Sequence, residues 1–185
     1  MSKKIKIHPQ LHDVFGQEQS LIELIAIITF GTLIPVALYQ AFTDAFTQPA
    51  LWKSILATVF ILDIAAGCVA NFTKSTNNFY AQRAKHRWIF IAIHFHIIIV
   101  AYGLEADIYN AVYIWAYTIL AAIMVNLLKN TSFQIFFGGL LLACGLTINL
   151  LLPTSQPIMA IIQSLFMLKV IFSFSVDHYP TEEMH

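Results

Sequence analysis

The sequence predicts an all-α fold, a polytopic membrane bundle of six transmembrane helices with a short interfacial helix at the N-terminus. Hydrophobic residues make up 58% of the chain and charged residues only 11%, where soluble domains carry about a quarter charged. Mean hydropathy is +0.72. The apolar residues gather into runs at about 21–42, 52–71, 88–104, 109–128, 132–152 and 156–176. Each reaches, or nearly reaches, the ~20 residues that cross a hydrocarbon core as a helix.

Residues 1–20 form an N-terminal segment. Behind Lys3, Lys4 and Lys6, the apolar Ile7, Leu11, Val14 and Phe15 recur at helical spacing, which predicts a short helix lying on the membrane surface. His8 and His12 stand four residues apart there, the spacing that puts two imidazoles on one helix face as a metal would need. Alone the signal is weak, and two exposed histidines on a surface helix are the favoured reading.

In the first span Pro35, with Gly31 four residues before it, predicts a kink. The second span carries Asp63. The third is the shortest, 17 residues between Arg87 and Glu105, and holds His94 and His96. The fourth carries Tyr109, Tyr113, Trp115 and Tyr117 toward its outer half, the pattern of an interfacial aromatic belt or, less favoured, of a pocket wall. Leu152-Pro153-Thr154-Ser155-Gln156-Pro157 divides the last apolar stretch into two spans joined by a tight turn. Residues 21–176 are thus the transmembrane domain and 177–185 a polar tail.

Lys and Arg in the short loops set the orientation. One side of a six-span topology holds Lys3, Lys4, Lys6, Lys74, Arg83, Lys85, Arg87 and Lys129; the other holds Lys53, and Lys169 lies inside a span. Both termini are therefore expected in the cytoplasm, in the plasma (inner) membrane. No cleavable signal peptide is apparent, because the first apolar run is too long for one. Cys68 and Cys144 both fall within spans, which predicts small packing residues and neither a disulfide framework nor a paired-cysteine zinc site.

Asp63 is the residue that asks for a function. An ionised side chain at mid-bilayer costs about 2.5–3.5 kcal/mol on insertion scales, so such groups face the bundle interior and pair with something. Depth identifies the candidates. Asp63 lies about eight residues, ~12 Å, from the basic end of its span at Asn71. His94 and His96 stand about six and eight residues into the third span, and Lys169 about seven residues before Val176. All four share one level, with Asn71 and Glu23 nearer the cytoplasmic surface.

On a 3.6-residue helix Asp63 shares its face with Ala66, Gly67, Ala70 and Asn71, small residues that admit a neighbouring helix closely. His94 and His96 are separated by about 200° on a continuous helix, so only one can look into a cavity. His96, which shares a face with Ala92 and Gly103, is favoured. Either histidine could exchange a proton near neutral pH or ligate a metal. A structural Asp63–Lys169 ion pair that merely fixes helix register would use the same residues.

The stretch Phe72 to Arg87 reads as a long loop with Lys74, Tyr80, Arg83 and Arg87 available to a phosphate or an anionic lipid head. The ordinary excess of positive charge on the cytoplasmic side accounts for the same residues. No phosphate loop, nucleophile elbow, HExxH or series of His-rich boxes is present, and only the third span offers histidines for haem, so no nucleotide or haem motif and no particular cofactor is indicated. The expected partners are membrane lipid and a small molecule or ion, not nucleic acid; the small-residue faces also suit a homo-oligomer.

Three functions fit. The leading one binds or transports a small polar or ionic ligand, with proton coupling, at Asp63, His94, His96 and Lys169. The second is a membrane enzyme acting on a lipid-like substrate through a histidine/carboxylate acid–base or metal site. The third is an accessory membrane protein without chemistry of its own.

Overall fold

The computed structural model describes residues 4–152 and 156–179. The turn residues Pro153, Thr154 and Ser155, the first lysine Lys3 and the tail beyond Tyr179 lie outside the described residues. Among the described residues six helices are long and apolar enough to cross a membrane: Leu21–Ala41, Leu51–Ala70, Ala84–Gly103, Ile108–Leu127, Gln134–Leu151 and Pro157–Phe174. The third begins four residues earlier than the apolar run suggests, because Lys85, His86 and Arg87 extend its first turn.

The N-terminal segment departs from the expected surface helix. Strand β1 (Lys4–Lys6) pairs antiparallel with β2 (Glu18–Ser20), Ile5 opposite Gln19, and a Lys4–Glu18 ion pair joins them. Between them lie a 3-10 turn at Pro9–Leu11 and a single helical turn, α1 (His12–Phe15). The apolar spacing is compatible with a helix, but Pro9 starts a tight turn and Gly16, at φ +68°, stops the chain after one more turn. In this segment His8 Nδ1 accepts from the Gln10 amide, and His12 Nε2 lies 3.0 Å from the Ile7 carbonyl.

Helix α2 (Leu21–Ala41) starts at a reciprocal cap. Ser20 Oγ accepts from the Glu23 amide at 3.2 Å, and the Glu23 carboxylate accepts from the Ser20 amide at 2.7 Å. This satisfies amides that the first helical turn leaves unpaired. Pro35 sits inside α2 without ending it, and Gly31 lets the helix close on α4 (Leu51–Ala70): a Cβ at Gly31 would stand 2.9 Å from that of Ala66. The short α3 (Thr43–Thr47) joins them.

Residues expected as a loop after Asn71 include a helix, α5 (Lys74–Ala81), capped by the Thr73 side chain. The third span is two helices, α6 (Ala84–Ile93) and α7 (His96–Gly103), broken at His94–Phe95. Helix α8 (Ile108–Leu127) is capped by Asp107, whose carboxylate accepts from the amides of Tyr109 and Asn110. Helices α9 (Gln134–Leu151) and α10 (Pro157–Met167) complete the bundle, and α10 runs on into a π-helical segment, Leu168–Phe174.

The last span is the centre of the bundle: 61% of its span window is buried, against 22% for the first and fifth. Above Asp63, toward the end away from the basic loops, Ala57, Ile61, Ile97, Val100, Ile162 and Phe166 form one continuous buried core. Dense apolar packing there closes the bundle from that end.

Candidate functional site

Asp63 is brought together with three of its expected partners. Its Oδ2 accepts from Lys169 Nζ at 2.7 Å and lies 2.7 Å from His96 Nδ1. The His96 contact is close without being a well-formed hydrogen bond. Lys169 Nζ also donates to the Asp63 carbonyl at 3.3 Å. The lysine side chain is 3% exposed and the aspartate 40%. The ammonium is therefore sealed in the bundle while the carboxylate stands open.

Gly67 makes the pair attainable. A Cβ there would stand 2.3 Å from Lys169 Cε and 2.9 Å from Nζ, so the lysine lies across α4 only because position 67 has no side chain. The small-residue face divides the work: Gly67 receives Lys169, and Ala66 meets Gly31 of α2.

The break in the third span corrects the expectation that only one histidine can face the site. His94 takes φ −82°, ψ 68° and Phe95 φ −102°, ψ 18°, so the 200° argument, which holds for a continuous helix, does not apply. Both rings reach the same cavity, with centroids 4.6 Å apart. The Trp115 indole N–H donates to the His94 carbonyl at 3.0 Å, supplying one partner for the opened backbone. Trp115 therefore leaves the expected aromatic belt, as does Tyr117, whose hydroxyl donates to the Leu141 carbonyl. Tyr109 and Tyr113 remain outward and exposed.

The His94 tautomer follows from its neighbours. Nδ1 faces the Phe90 carbonyl, which can only accept, so Nδ1 carries the hydrogen. In the neutral ring Nε2 is then an acceptor, and it is buried without a partner. The ring stacks on Phe90, which stacks on Phe174.

These groups line a cavity of about 210 Å³, together with Gly67, Asn71, Tyr80, Ile89 and Ile93. Asn71 ends α4, and its Nδ2 is buried with no partner. Asp13 and Val14 of α1, with His86 and Phe90 of α6, complete the wall. That strap is pinned by Tyr80 Oη donating to the Asp13 carbonyl at 2.9 Å, by the Glu18 amide donating to Ser75 Oγ at 3.0 Å and by Gln19 Nε2 donating to Thr73 Oγ1 at 2.8 Å. Burial raises the pKa of the Tyr80 phenol and keeps it a donor.

Other candidates lie elsewhere. Glu23 is the α2 cap. Lys74 is exposed, and Arg83 donates to the Phe79 carbonyl and stacks on that ring. Tyr80 lines the cavity itself, and Arg87 is 1% exposed, its Nε donating to Asn126 Oδ1 at 2.9 Å and Nη2 to the Ser175 carbonyl at 2.8 Å. Gln134 donates to the Val125 and Ser175 carbonyls beside it and accepts from the Asp177 amide. This polar clamp between the third, fourth, fifth and sixth spans escaped sequence reasoning; its one signal was the tight spacing of Arg87 to the apolar run. Among the described residues no group of three or more His, Cys, Asp and Glu side chains has the arrangement to hold a metal ion.

Comparison with known proteins finds no matching family model, no similar curated protein and no similar solved structure.

Proposed function

We propose that this chain is an integral protein of the plasma (inner) membrane with both termini in the cytoplasm, and that its cavity binds a small polar or ionic ligand whose movement is coupled to a proton. The observation that carries this reading is the open carboxylate of Asp63. A counterion that only fixes helix register has no need of a face on a cavity, whereas Asp63 keeps Oδ2 on Lys169 and His96 and remains 40% exposed on a cavity wall.

Orientation rests on the basic residues of the loops. Proton exchange is supported by the two imidazoles of His94 and His96, which stand together on the wall that Asp63 shares. Movement of the ligand is supported by the discontinuous third span beside a π-helical stretch of the sixth. Breaks of this kind leave backbone adjustable where it lines a cavity. Lys74 and Arg83, on the basic side, are the groups left to meet anionic membrane lipid.

One observation favours the enzyme reading as the second choice. His94 lines the cavity with a fixed tautomer whose Nε2 has no protein partner, and an unpaired imidazole acceptor is the raw material of a general base.

The test uses full-length protein extracted in mild detergent and examined by native mass spectrometry. Wild type is expected to carry a small-molecule adduct that Asp63→Asn lacks. Equal retention by both proteins would contradict the assignment of Asp63 to the ligand.

A further inference from the structure

We propose that the ligand is a small organic cation, a primary ammonium on a short apolar chain, admitted from the basic end of the bundle between the strap and the start of α6. The proposal rests on the cavity being a ligand site and adds the ligand's class and its door.

The class follows from the charges on the wall. Two carboxylates, Asp13 and Asp63, stand against one ammonium, Lys169, so with the imidazoles neutral the lining keeps one net negative charge. The positive charge is also the one out of reach: the Lys169 side chain is 3% exposed, and its Nζ donates to the Asp63 carbonyl and Oδ2. Both ion contacts of the 40% exposed Asp63 carboxylate fall on Oδ2, which leaves Oδ1 to a ligand. Tyr80, on the same wall, registers both acids: burial raises its phenol pKa most, and Asp13 and Asp63 raise it further. An anion would enter against two carboxylates. One monovalent cation brings the wall to neutrality, where low dielectric makes an unbalanced charge costly.

The door lies at Asp13 on α1 and His86 in the first turn of α6, both exposed and both lining the cavity. Asp13 is held there by its carbonyl, which accepts from Tyr80 Oη at 2.9 Å. A carboxylate on an exposed rim draws a cation inward. The cations of the same face do not oppose it: Arg83 lies on the Phe79 ring, Lys129 donates to the Ala81 carbonyl, Arg87 donates to the Ser175 carbonyl, and none of them lines the cavity.

The organic nature follows from the rest of the wall. A hard metal cation takes about six or more oxygens, and the side-chain oxygens of the lining come from four residues, Asp13, Asp63, Asn71 and Tyr80. An ammonium needs fewer acceptors, and its chain gains by covering Ile89, Ile93 and Phe90. A cavity of about 210 Å³ falls below the ~300–1,000 Å³ of drug-sized pockets, so the chain is short.

Full-length protein in mild detergent, at low salt and about pH 8, is titrated calorimetrically with butylammonium, butan-1-ol, butanoate and potassium. An alkylammonium with a lysine-like pKa of about 10.4 is charged there. Saturable binding of butylammonium is expected, with the alcohol and butanoate at least about tenfold weaker, the loss of roughly one charge-assisted hydrogen bond. Asp13→Asn keeps the carbonyl that Tyr80 holds. It should melt as wild type and bind butylammonium about two- to fivefold more weakly, the range of an exposed ion contact; Asp13→Ser replaces it if it melts early.

Unchanged affinity in the Asp13 variant would overturn the door. Potassium binding as tightly as butylammonium would overturn the organic cation. Preferred binding of alcohol or butanoate, lost from the Asp63→Asn, Lys169→Met double variant, would overturn the cationic class and leave the polar-ligand reading standing. Binding of none of the four would overturn this inference alone if the mass-spectrometric adduct still depends on Asp63, and both readings if it does not.

Discussion

Lys169 can reach Asp63 only across the bare backbone of Gly67, and this ties one glycine to the charge state of the site. Gly67→Ala should push the ammonium off Oδ2 and cost about 2–4 kcal/mol, because the displaced charge has nowhere hydrated to go. Chemical denaturation in detergent measures this, and an unchanged midpoint would mean that the lysine repacks freely. His178, outside the spans, gives a second prediction. Burial lowers its pKa below the ordinary 6.5, with Arg87 lowering it further and Asp177 and the Phe172 and Ser173 backbone opposing. The folded state then binds fewer protons than the unfolded state between the lowered value and 6.5. Stability is fully present above that window and falls as pH drops through it. His178→Phe, placed among Phe72 and Phe172, should flatten that part of the melting-temperature profile against pH. An unaltered slope would assign the effect to another group.

At the level of elements, the sequence carried the spans and hid the irregularities. Six apolar runs were legible because hydropathy integrates over about 20 residues. The break at His94–Phe95 was not, since neither glycine nor proline marks it; a Trp115 indole from another helix satisfies the freed carbonyl, and that is a tertiary fact. The π-helical stretch at Lys169 was illegible for the same reason: Ser173 donates to the Cys68 carbonyl on α4. The N-terminal strap was misread because apolar spacing outweighed Pro9 and Gly16. Gly16 is the residue on which the strap depends, with φ +68° and backbone of Ser75 2.5 Å from any added Cβ. Gly16→Ala should free residues 4–20 to limited proteolysis while the bundle melts within about 1–2 kcal/mol of wild type, the range of a local backbone strain. An intact strap would contradict its dependence on Gly16. Arg87→Lys should cost more, about 2–4 kcal/mol, by abandoning buried charge-assisted hydrogen bonds; thermal unfolding checks it.

For the whole molecule, depth counting was the productive inference. Helices running in opposite directions brought Asp63, His96 and Lys169 to one level because rise per residue is fixed at about 1.5 Å. What counting could not supply was azimuth, which is why His94 joined the cavity against expectation and why Arg87, counted among loop cations, is a buried clamp. The account holds that Asp63 serves both the fold, through Lys169, and the ligand, through its open side. Those roles separate in one measurement: melting and adduct retention compared across wild type, Asp63→Asn, Lys169→Met and the double variant. Asp63→Asn should lose about 3 kcal/mol by stranding the ammonium, and the double variant should regain much of it. The prediction is that the double variant melts near wild type and still carries no adduct. A double variant that regains stability and adduct together would show that the pair only holds the helices, and would contradict the account.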